Sequence, residues 1–211
     1  MRIIALICVF NATEVIEDCL KSLDGYVDGI YCFDSRWIGV DHPANHSNDG
    51  TREIIWDFAK KSKSTIKLFL LESPVHQYEA RTLALNHVSE GDWIIIIDSD
   101  TIVTMWKLDK KILEESKERG FRICYKYPNQ TTTGYLIKKT AGLRFTVDHR
   151  FFADNIGLID PKEFPIIRDI VIDDNHPKST NKAMRPLMER YKNFLLRWET
   201  NAKKTNRYFT Q

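Results

Sequence analysis

The sequence predicts an α/β fold in which a mostly parallel sheet is followed by an antiparallel part. Two observations carry this prediction. Short hydrophobic runs alternate with amphipathic segments over the first hundred residues, an order typical of parallel strands joined by helical crossovers. Four further strand-like runs follow at short intervals after residue 120, which favours antiparallel pairing. The chain has 211 residues, enough for one domain with a sizeable core.

The alternating region consists of four predicted strands and three predicted helices. The strands are RIIALICVF, GIYCFD, TIKLFLLE and WIIIIDSD, and the helices are NATEVIEDCLKSL, TREIIWDFAKKSK and HQYEARTLALNHVSEG. Apolar residues recur at helical spacing in each helix. In the third helix Ala80, Leu83, Ala84 and His87 are predicted to lie along one face. The polar stretch from 35 to 50 is predicted to be a long loop.

After Asp100 the pattern changes. A charged helix is predicted over KLDKKILEESKERG, ending at Gly120, and strands over FRICYKYP, GYLIKK, LRFTVDHRFF and IRDIVIDD. A last helix is predicted from about Lys182 to Lys203, with basic residues beside an apolar stripe. We expect this helix to pack on the domain with a solvated basic face. The alternative is peripheral contact with an anionic membrane.

Composition indicates the compartment and the class of partner. The net charge is only +2, so we expect no nucleic-acid partner. The opening MRIIALICVF has one basic residue, and no small-residue cleavage site follows, so no secretory signal is predicted. The four cysteines lack metal-type spacing and are predicted to be buried, reduced thiols. Together these features predict a cytoplasmic protein.

Acidic and amide side chains stand at the carboxyl ends of the predicted strands, where open α/β sheets bind ligands. Asn11, Asp34 and Glu72 follow the first three strands, and Asp98 and Asp100 end the fourth. Asp98 and Asp100 should point to the same side because strand side chains alternate. Like charges at close range repel unless a cation lies between them, and a hard divalent ion suits carboxylate ligands. The alternative is a solvated turn with a helix cap.

The first hundred residues resemble an inverting family 2 glycosyltransferase with the GT-A fold. The segments that carry the resemblance are ICVFNATEVIEDCLKSL, FDS, SNDGTREII and ARTLALNHVSEGDWIIIIDSD. They are similar to the family's first strand and helix, its Asp-rich turn, its Ala-Arg-Asn helix and its metal-binding Asp-x-Asp. The sequence departs from the family where Arg36 to His46 form an insertion in the Asp-rich turn, and where ART replaces Ala-Arg-Asn.

The resemblance implies a Rossmann-like three-layer α/β/α sandwich in a single domain over residues 1–211. Residues 1–105 would bind the nucleotide sugar, 106–180 the acceptor, and 181–211 would form the C-terminal helix. The implied reaction moves a sugar, expected to be a hexose, from a nucleoside-diphosphate donor to a hydroxyl of a glycan, lipid or protein. It would proceed with inversion and with Mn²⁺ or Mg²⁺ as the cofactor.

The same resemblance suggests metal ligands. Asp100 would coordinate the metal directly, and Asp98 would contact the ribose or a metal-bound water. His176 follows an apolar and acidic run and is a candidate third ligand, or else a simple loop residue. His42 and His46 are four residues apart but lie in the predicted loop, so no metal site is predicted there.

Four further residues are candidates for the nucleotide site. The resemblance implies that Asp34 accepts a hydrogen bond from the nucleobase and that Arg81 contacts the nucleotide. Phe10 could stack beside the base, and Asn11 could contact the nucleotide. The structural alternatives are a turn for Asp34, an ion pair with Glu79 or a neighbouring acid for Arg81, core packing for Phe10 and a helix cap for Asn11. For Asn11 the helix cap is preferred.

An inverting mechanism needs a carboxylate near the acceptor hydroxyl. Asp148 is the first candidate base, because it lies among hydrophobic neighbours in a strand-like run where burial would raise its pKa. Asp160 is the second candidate. The alternative for Asp148 is a surface or paired carboxylate.

Three other classes of protein fit parts of the sequence. IIIIDSDTIV resembles the first motif of a haloacid dehalogenase-type phosphatase, with Asp173 and Asp174 as the late acidic pair. However, three β–α units precede the motif here, and Thr101 falls one position early. A nucleotidyltransferase would share the nucleotide-binding half, and a non-catalytic binding protein could keep the fold.

Overall fold

The computed structural model describes residues 1–125, 134–146, 150–154 and 156–174. The predictions made for Asp148, His176 and the C-terminal helix lie outside these residues.

The first half of the chain alternates between strands and helices, as predicted. Its elements are β1 (Ile3–Val9), α1 (Ile16–Leu23), β2 (Gly29–Asp34), α2 (Thr51–Ala59), β3 (Thr65–Leu70), α3 (Gln77–Leu85) and β4 (Trp93–Asp98). The described part of the second half contains β5 (Thr101–Trp106), α4 (Lys110–Glu115), β6 (Gly120–Tyr125), β7 (Tyr135–Lys138), β8 (Arg144–Phe145), β9 (Phe151–Ala153), β10 (Gly157–Ile159), a short 3₁₀ helix (Pro161–Glu163) and β11 (Ile166–Asp174).

The main sheet has the strand order β3-β2-β1-β4-β7-β6-β11-β5, and β10-β9-β8 form a second, small sheet. β1 pairs in parallel with β2 and β4, and β2 pairs in parallel with β3. β7 is antiparallel to both β4 and β6, and β11 is antiparallel to β5. The predicted mixture of parallel and antiparallel strands is therefore confirmed, although β6 and β11 pair in parallel.

Two apolar layers enclose the main sheet, because alternate side chains of its strands point to opposite faces. Every residue of β1 is buried, which explains why the run is hydrophobic without alternation. One face packs on α1 and α2 through Ile3, Ala5, Ile7, Leu20 and Ile55. The other packs on α3 and the small sheet through Ile4, Leu6, Ala84, Leu85 and Phe151. This gives the predicted three layers.

Some details differ from the prediction or go beyond it. In α3, the residues that face the sheet are Ala80, Ala84 and Leu85, whereas Leu83 is 43% exposed. The small alanines allow the helix to lie close to the strands. The helix predicted to end at Gly120 stops at Glu115. The strand β5 was not predicted, and it packs against α1 and pairs with β11.

None of the helices in the described part of the chain is long and apolar enough to cross a membrane.

Candidate functional site

The carboxyl ends of four parallel strands lie side by side along one edge of the main sheet. Val9 pairs with Asp34, Cys8 pairs with Asp98, and Asp34 pairs with Leu70. The strand ends are thus aligned to within one residue, so the segments that follow β1, β2, β3 and β4 meet at this edge. We call it the strand-end edge.

Asp98 is held at the strand-end edge by two side chains of α3. Its Oδ1 accepts a 2.7 Å hydrogen bond from Arg81 Nη2 and a 3.1 Å hydrogen bond from Gln77 Nε2. The donors are four residues apart and therefore project from the same face of the helix. The Arg81 side chain is only 13% exposed, whereas that of Asp98 is 52% exposed. Asp98 is therefore a solvent-facing carboxylate on a buried cationic support.

Of the two predicted ion-pair partners of Arg81, Glu79 or a neighbouring acid, the structure shows a neighbouring acid, Asp98. Glu79 instead accepts a hydrogen bond from the amide of His76 and completes a capping box at the start of α3. Burial acts to lower the pKa of Arg81, but the charge of Asp98 and hydrogen bonds to Asp98 and Cys8 outweigh burial and raise it. The guanidinium is thus charged at every working pH.

Buried thiols lie beneath the strand-end edge. Burial raises the pKa of Cys8 to about 11, although the neighbouring Arg81 acts to lower it. Cys19, from α1, is fully buried, and its thiol donates to the carbonyl oxygen of Asp98 at 3.7 Å. Burial also raises the pKa of Cys19. Both thiols are therefore neutral near pH 7 and serve as packing groups under the acidic turn.

Asp100 lies in the turn between β4 and β5 and is partly exposed. The end of β11 lies beside this turn, because Asp173 pairs with Ile102 and Asp174 pairs with Thr101. Sequence reasoning missed this neighbour, since the two strands are about seventy residues apart in the chain. The turn therefore sits where the parallel half of the sheet meets its antiparallel half.

Within the described ranges, no group of three or more His, Cys, Asp or Glu side chains could hold a metal ion by itself. This does not disqualify the pair Asp98 and Asp100. Mg²⁺ keeps several water ligands and is usually bound by one or two carboxylates together with the phosphates of a substrate. Two partly exposed carboxylates in one turn fit this kind of site.

Asp34 ends β2 and is completely buried. Its Oδ1 accepts hydrogen bonds from the amide of Ser47 at 3.0 Å and from the Ser47 hydroxyl at 2.8 Å. Burial raises the pKa of Asp34, although Ser47 and the neighbouring His46 and Arg52 act in the opposite direction. The contact of Asp34 with a nucleobase stays a prediction, and in this structure the carboxylate binds the loop. Sequence reasoning missed Ser47.

Asn11 does not cap α1, so the preferred interpretation of this residue is wrong. The helix begins at Ile16, five residues after Asn11, and Val15 occupies the cap position. Asn11 has a positive φ of 49°, and its Oδ1 accepts a hydrogen bond from the amide of Asn48. Asparagine tolerates this backbone region because its short polar side chain can bond locally. Asn11 therefore joins the end of β1 to the loop after β2.

Phe10 lies next to Asn11 and is partly exposed. Its ring packs edge-on against the ring of His42, with the centroids 5.3 Å apart. Stacking of Phe10 on a nucleobase stays a prediction.

Asp160 is not brought to the strand-end edge. Its carboxylate caps the 3₁₀ helix by accepting a hydrogen bond from the amide of Lys162. After this helix, the carbonyl of Pro165 accepts a hydrogen bond from the amide of Arg122 near the start of β6. β6 runs in the same direction as β4, because both are antiparallel to β7. The start of β6 thus lies towards the opposite edge from Asp98.

The family model described as "Glycosyl transferase family 2" matches residues 4–123. The chain is similar in structure to the mannosyltransferase PcManGT from Pyrobaculum calidifontis, solved with GDP-Man and Mn²⁺. The identity is 16%, the TM-score is 0.57, and the match covers 89% of this chain and 60% of that one.

It is also similar to residues 1–349 of S. aureus TarS in complex with UDP-GlcNAc. Here the identity is 18%, the TM-score is 0.50, and the match covers 63% of this chain and 37% of that one. The chain therefore spans less than two thirds of the length of both structures, and at these identities the likeness shows the fold alone. No curated protein matches the sequence.

Proposed function

The chain belongs to glycosyl transferase family 2 and has the predicted GT-A fold, and from this premise we propose that it transfers a hexose from a nucleoside-diphosphate donor to an acceptor hydroxyl. One observation carries the proposal. A solvent-facing Asp98, supported by Arg81, stands beside Asp100 at the edge where four parallel strands end. This is the edge where open α/β sheets bind their ligands.

Residues 1–105 would bind the donor, since they contain β1 to β4 and the segments at the strand-end edge. The structures of PcManGT with GDP-Man and of TarS with UDP-GlcNAc support a nucleotide sugar as the donor. Arg81 would contact the nucleotide and hold Asp98 in place. Oδ1 of Asp98 is taken by two donors of α3, so Oδ2 would accept a hydrogen bond from the ribose or from a metal-bound water.

We propose that Asp100 holds the Mn²⁺ or Mg²⁺ directly. His176 is the proposed third ligand, and the end of β11 supports this because Asp174 pairs with Thr101, next to Asp100. When bound, the divalent ion would offset the charge that develops on the leaving diphosphate. The PcManGT structure, which contains Mn²⁺, supports the choice of metal.

Residues 106–180 would take the acceptor, whose hydroxyl must lose a proton as it attacks the anomeric carbon. We propose inversion, with Asp148 as the general base. Asp160 becomes the weaker candidate, because its carboxylate already caps a helix near the far edge of the sheet. Residues 181–211 would form the C-terminal helix, packed on the domain or in peripheral contact with a membrane.

The proposal is tested by the thermal stability of the protein with UDP-, GDP- and dTDP-sugars, each with and without Mn²⁺. A ligand that binds only the folded state at about one hundred times its Kd adds about 2.7 kcal/mol to the unfolding free energy. We expect at least one sugar nucleotide to stabilise the protein in a manner that depends on Mn²⁺. If none does so, the proposal is wrong. The alternative function, a nucleotidyltransferase, is tested by incubating the protein with nucleoside triphosphates and measuring pyrophosphate. Release of pyrophosphate would favour that alternative.

Two variants sharpen the test. Asp100→Asn should remove the part of the stabilisation that depends on Mn²⁺. The matched control is Asp57→Asn, which changes an aspartate that is 73% exposed on α2 and paired with Lys60. This control should respond to donor and metal as the wild type does.

A further inference from the structure

The loop between β2 and α2 (residues 35–50, the 35–50 loop) is fastened to the ends of three strands. The amide of Asn48 donates to Asn11 Oδ1 at 3.1 Å, which joins the loop to the end of β1. Ser47 donates to Asp34 at the end of β2. His46 Nε2 donates to the carbonyl of Leu71, just after β3, at 2.6 Å. The loop therefore lies along the strand-end edge.

The loop is also paired with the segment that leads into α3. Trp37 forms a parallel bridge with Val75, and the amide of Ile38 donates to the carbonyl of Val75 at 3.2 Å. The loop closes on itself through a 2.7 Å hydrogen bond from the amide of Arg36 to the carbonyl of Asn45. The insertion from Arg36 to His46 is thus an ordered wall along the strand-end edge, bonded to the segment before α3 and to the end of β3.

The 35–50 loop covers Asp34 through Ser47, which directly follows this wall. Asp34 has no exposed surface, and its carboxylate is occupied by Ser47 through both the amide and the hydroxyl. A nucleobase cannot touch a group that water cannot reach unless the loop moves away. Moving it would break the hydrogen bonds of Ser47, whose groups would lose buried partners.

The wall offers its own polar group beside Phe10. The rings of Phe10 and His42 are 5.3 Å apart and nearly perpendicular, and both residues are partly exposed. His42 Nδ1 accepts a hydrogen bond from the amide of Ala44 at 3.1 Å. Nδ1 also lies 3.4 Å from the carbonyl oxygen of Ala44, to which it would have to donate. The contact with the amide is the shorter of the two, and a neutral imidazole has one donor and one acceptor nitrogen, so we assign the proton to Nε2. No partner for Nε2 is found among the residues that the structure describes.

We propose that the 35–50 loop recognises the donor's nucleobase, with Phe10 as an apolar wall and His42 Nε2–H donating to a carbonyl of the base. Asp34 holds the loop and does not contact the base. The inference rests on the proposed function and deepens it. Guanine O6 and uracil or thymine O4 are carbonyl acceptors, whereas adenine carries a donor amino group at the corresponding position. The site is thus selective for uridine or guanosine diphosphates over adenosine diphosphate.

The test is calorimetric titration of UDP, GDP and ADP in the presence of Mn²⁺. His42→Phe keeps a ring against Phe10 but removes the donor, whereas His42→Gln keeps a donor. Losing one hydrogen bond to the base should weaken the better of UDP and GDP about tenfold and leave ADP nearly unchanged. The selectivity ratio should fall by the same factor in His42→Phe and be largely retained in His42→Gln.

Two further variants separate base recognition from fold stability. Asp34→Asn should lower the melting temperature but leave the selectivity ratio unchanged. The matched histidine control, His87→Phe, changes an exposed residue beyond the end of α3 that packs on Phe69, and it should also leave the ratio unchanged.

The inference is overturned if the ratio changes in Asp34→Asn, whether or not it changes in His42→Phe, or if it changes in neither variant. A wild-type protein that binds no nucleotide would overturn the proposed function together with this inference. A wild-type protein that binds nucleotides with a preference insensitive to His42 would overturn the inference alone.

Discussion

Replacing Arg81 by methionine should tighten the binding of Mn²⁺ in the absence of nucleotide. Arg81 Nη2 lies 2.7 Å from Asp98 Oδ1, so the guanidinium competes with any added cation for this carboxylate. A hydrogen bond to a charged group contributes about 1.5–3 kcal/mol, and an exposed ion pair about 0–1 kcal/mol. Because Asp98 is 52% exposed, the free energy that Mn²⁺ needs to displace the guanidinium lies between these two ranges, at roughly 1–1.5 kcal/mol. This corresponds to about a tenfold gain in Mn²⁺ affinity.

The assay is a titration with Mn²⁺ in which free ion is followed by electron paramagnetic resonance. Arg81→Lys keeps the charge and should bind Mn²⁺ about as the wild type does. Gln77→Ala removes the neutral donor to Asp98 and leaves the guanidinium in place, so its effect should be small. If Arg81→Met keeps its circular dichroism spectrum and binds Mn²⁺ no more tightly than the wild type, the reasoning on charge compensation is refuted.

Three other predictions concern stability and are read from urea unfolding curves. Asp34→Ala should lower the free energy of unfolding by about 2–3 kcal/mol, because two buried donors of Ser47 lose their acceptor; an unchanged curve would contradict this. Gly120→Ala should lower the free energy of unfolding by about 1–3 kcal/mol, because the added Cβ would overlap the buried ring of Phe164. An unchanged free energy of unfolding would mean that the ring moves freely. Burial acts to raise the pKa of Asp24, but hydrogen bonds from residues 62–64 outweigh it and lower the pKa below 3.8. The stability that Asp24 contributes is therefore present above that pH and lost as the pH falls further, so the wild type should lose its advantage over Asp24→Asn in acid.

The parallel half of the fold could be predicted from the sequence because its signals are local. β2 was predicted with the bounds that the structure has, since GIYCFD is apolar and lies between polar segments. The helices α1 and α2 follow from the spacing of their apolar residues. β5 could not be predicted in this way, because its pairing partner β11 begins about sixty residues later and the run TIVTMW is only partly buried.

The position of the acidic residues at the strand ends could be predicted from the sequence, but the residues that bond to them could not. The strand ends identified Asp34, Asp98 and Asp100 because acidic residues directly follow hydrophobic runs. The ion pair of Asp98 joins residues 17 positions apart on different elements. Sequence spacing gives no means to select Arg81 from the other cations for this role. The contact of Ser47 with Asp34 could not be predicted either, because a long loop separates the two residues in the sequence.

The structure changes the reason for which a metal is needed. From sequence, two like charges in one turn called for a cation between them. Arg81 supplies a cation for Asp98, so repulsion within the turn no longer requires a metal, and the need for one shifts to the donor's diphosphate. Mn²⁺ alone should therefore bind the wild type weakly, and a nucleoside diphosphate should strengthen its binding about tenfold or more, a typical size for coupling between ligands. Because such coupling is reciprocal, Mn²⁺ must strengthen nucleotide binding by the same factor. Independent binding of the two ligands in calorimetric titrations would show that Asp100 and the diphosphate do not share an ion.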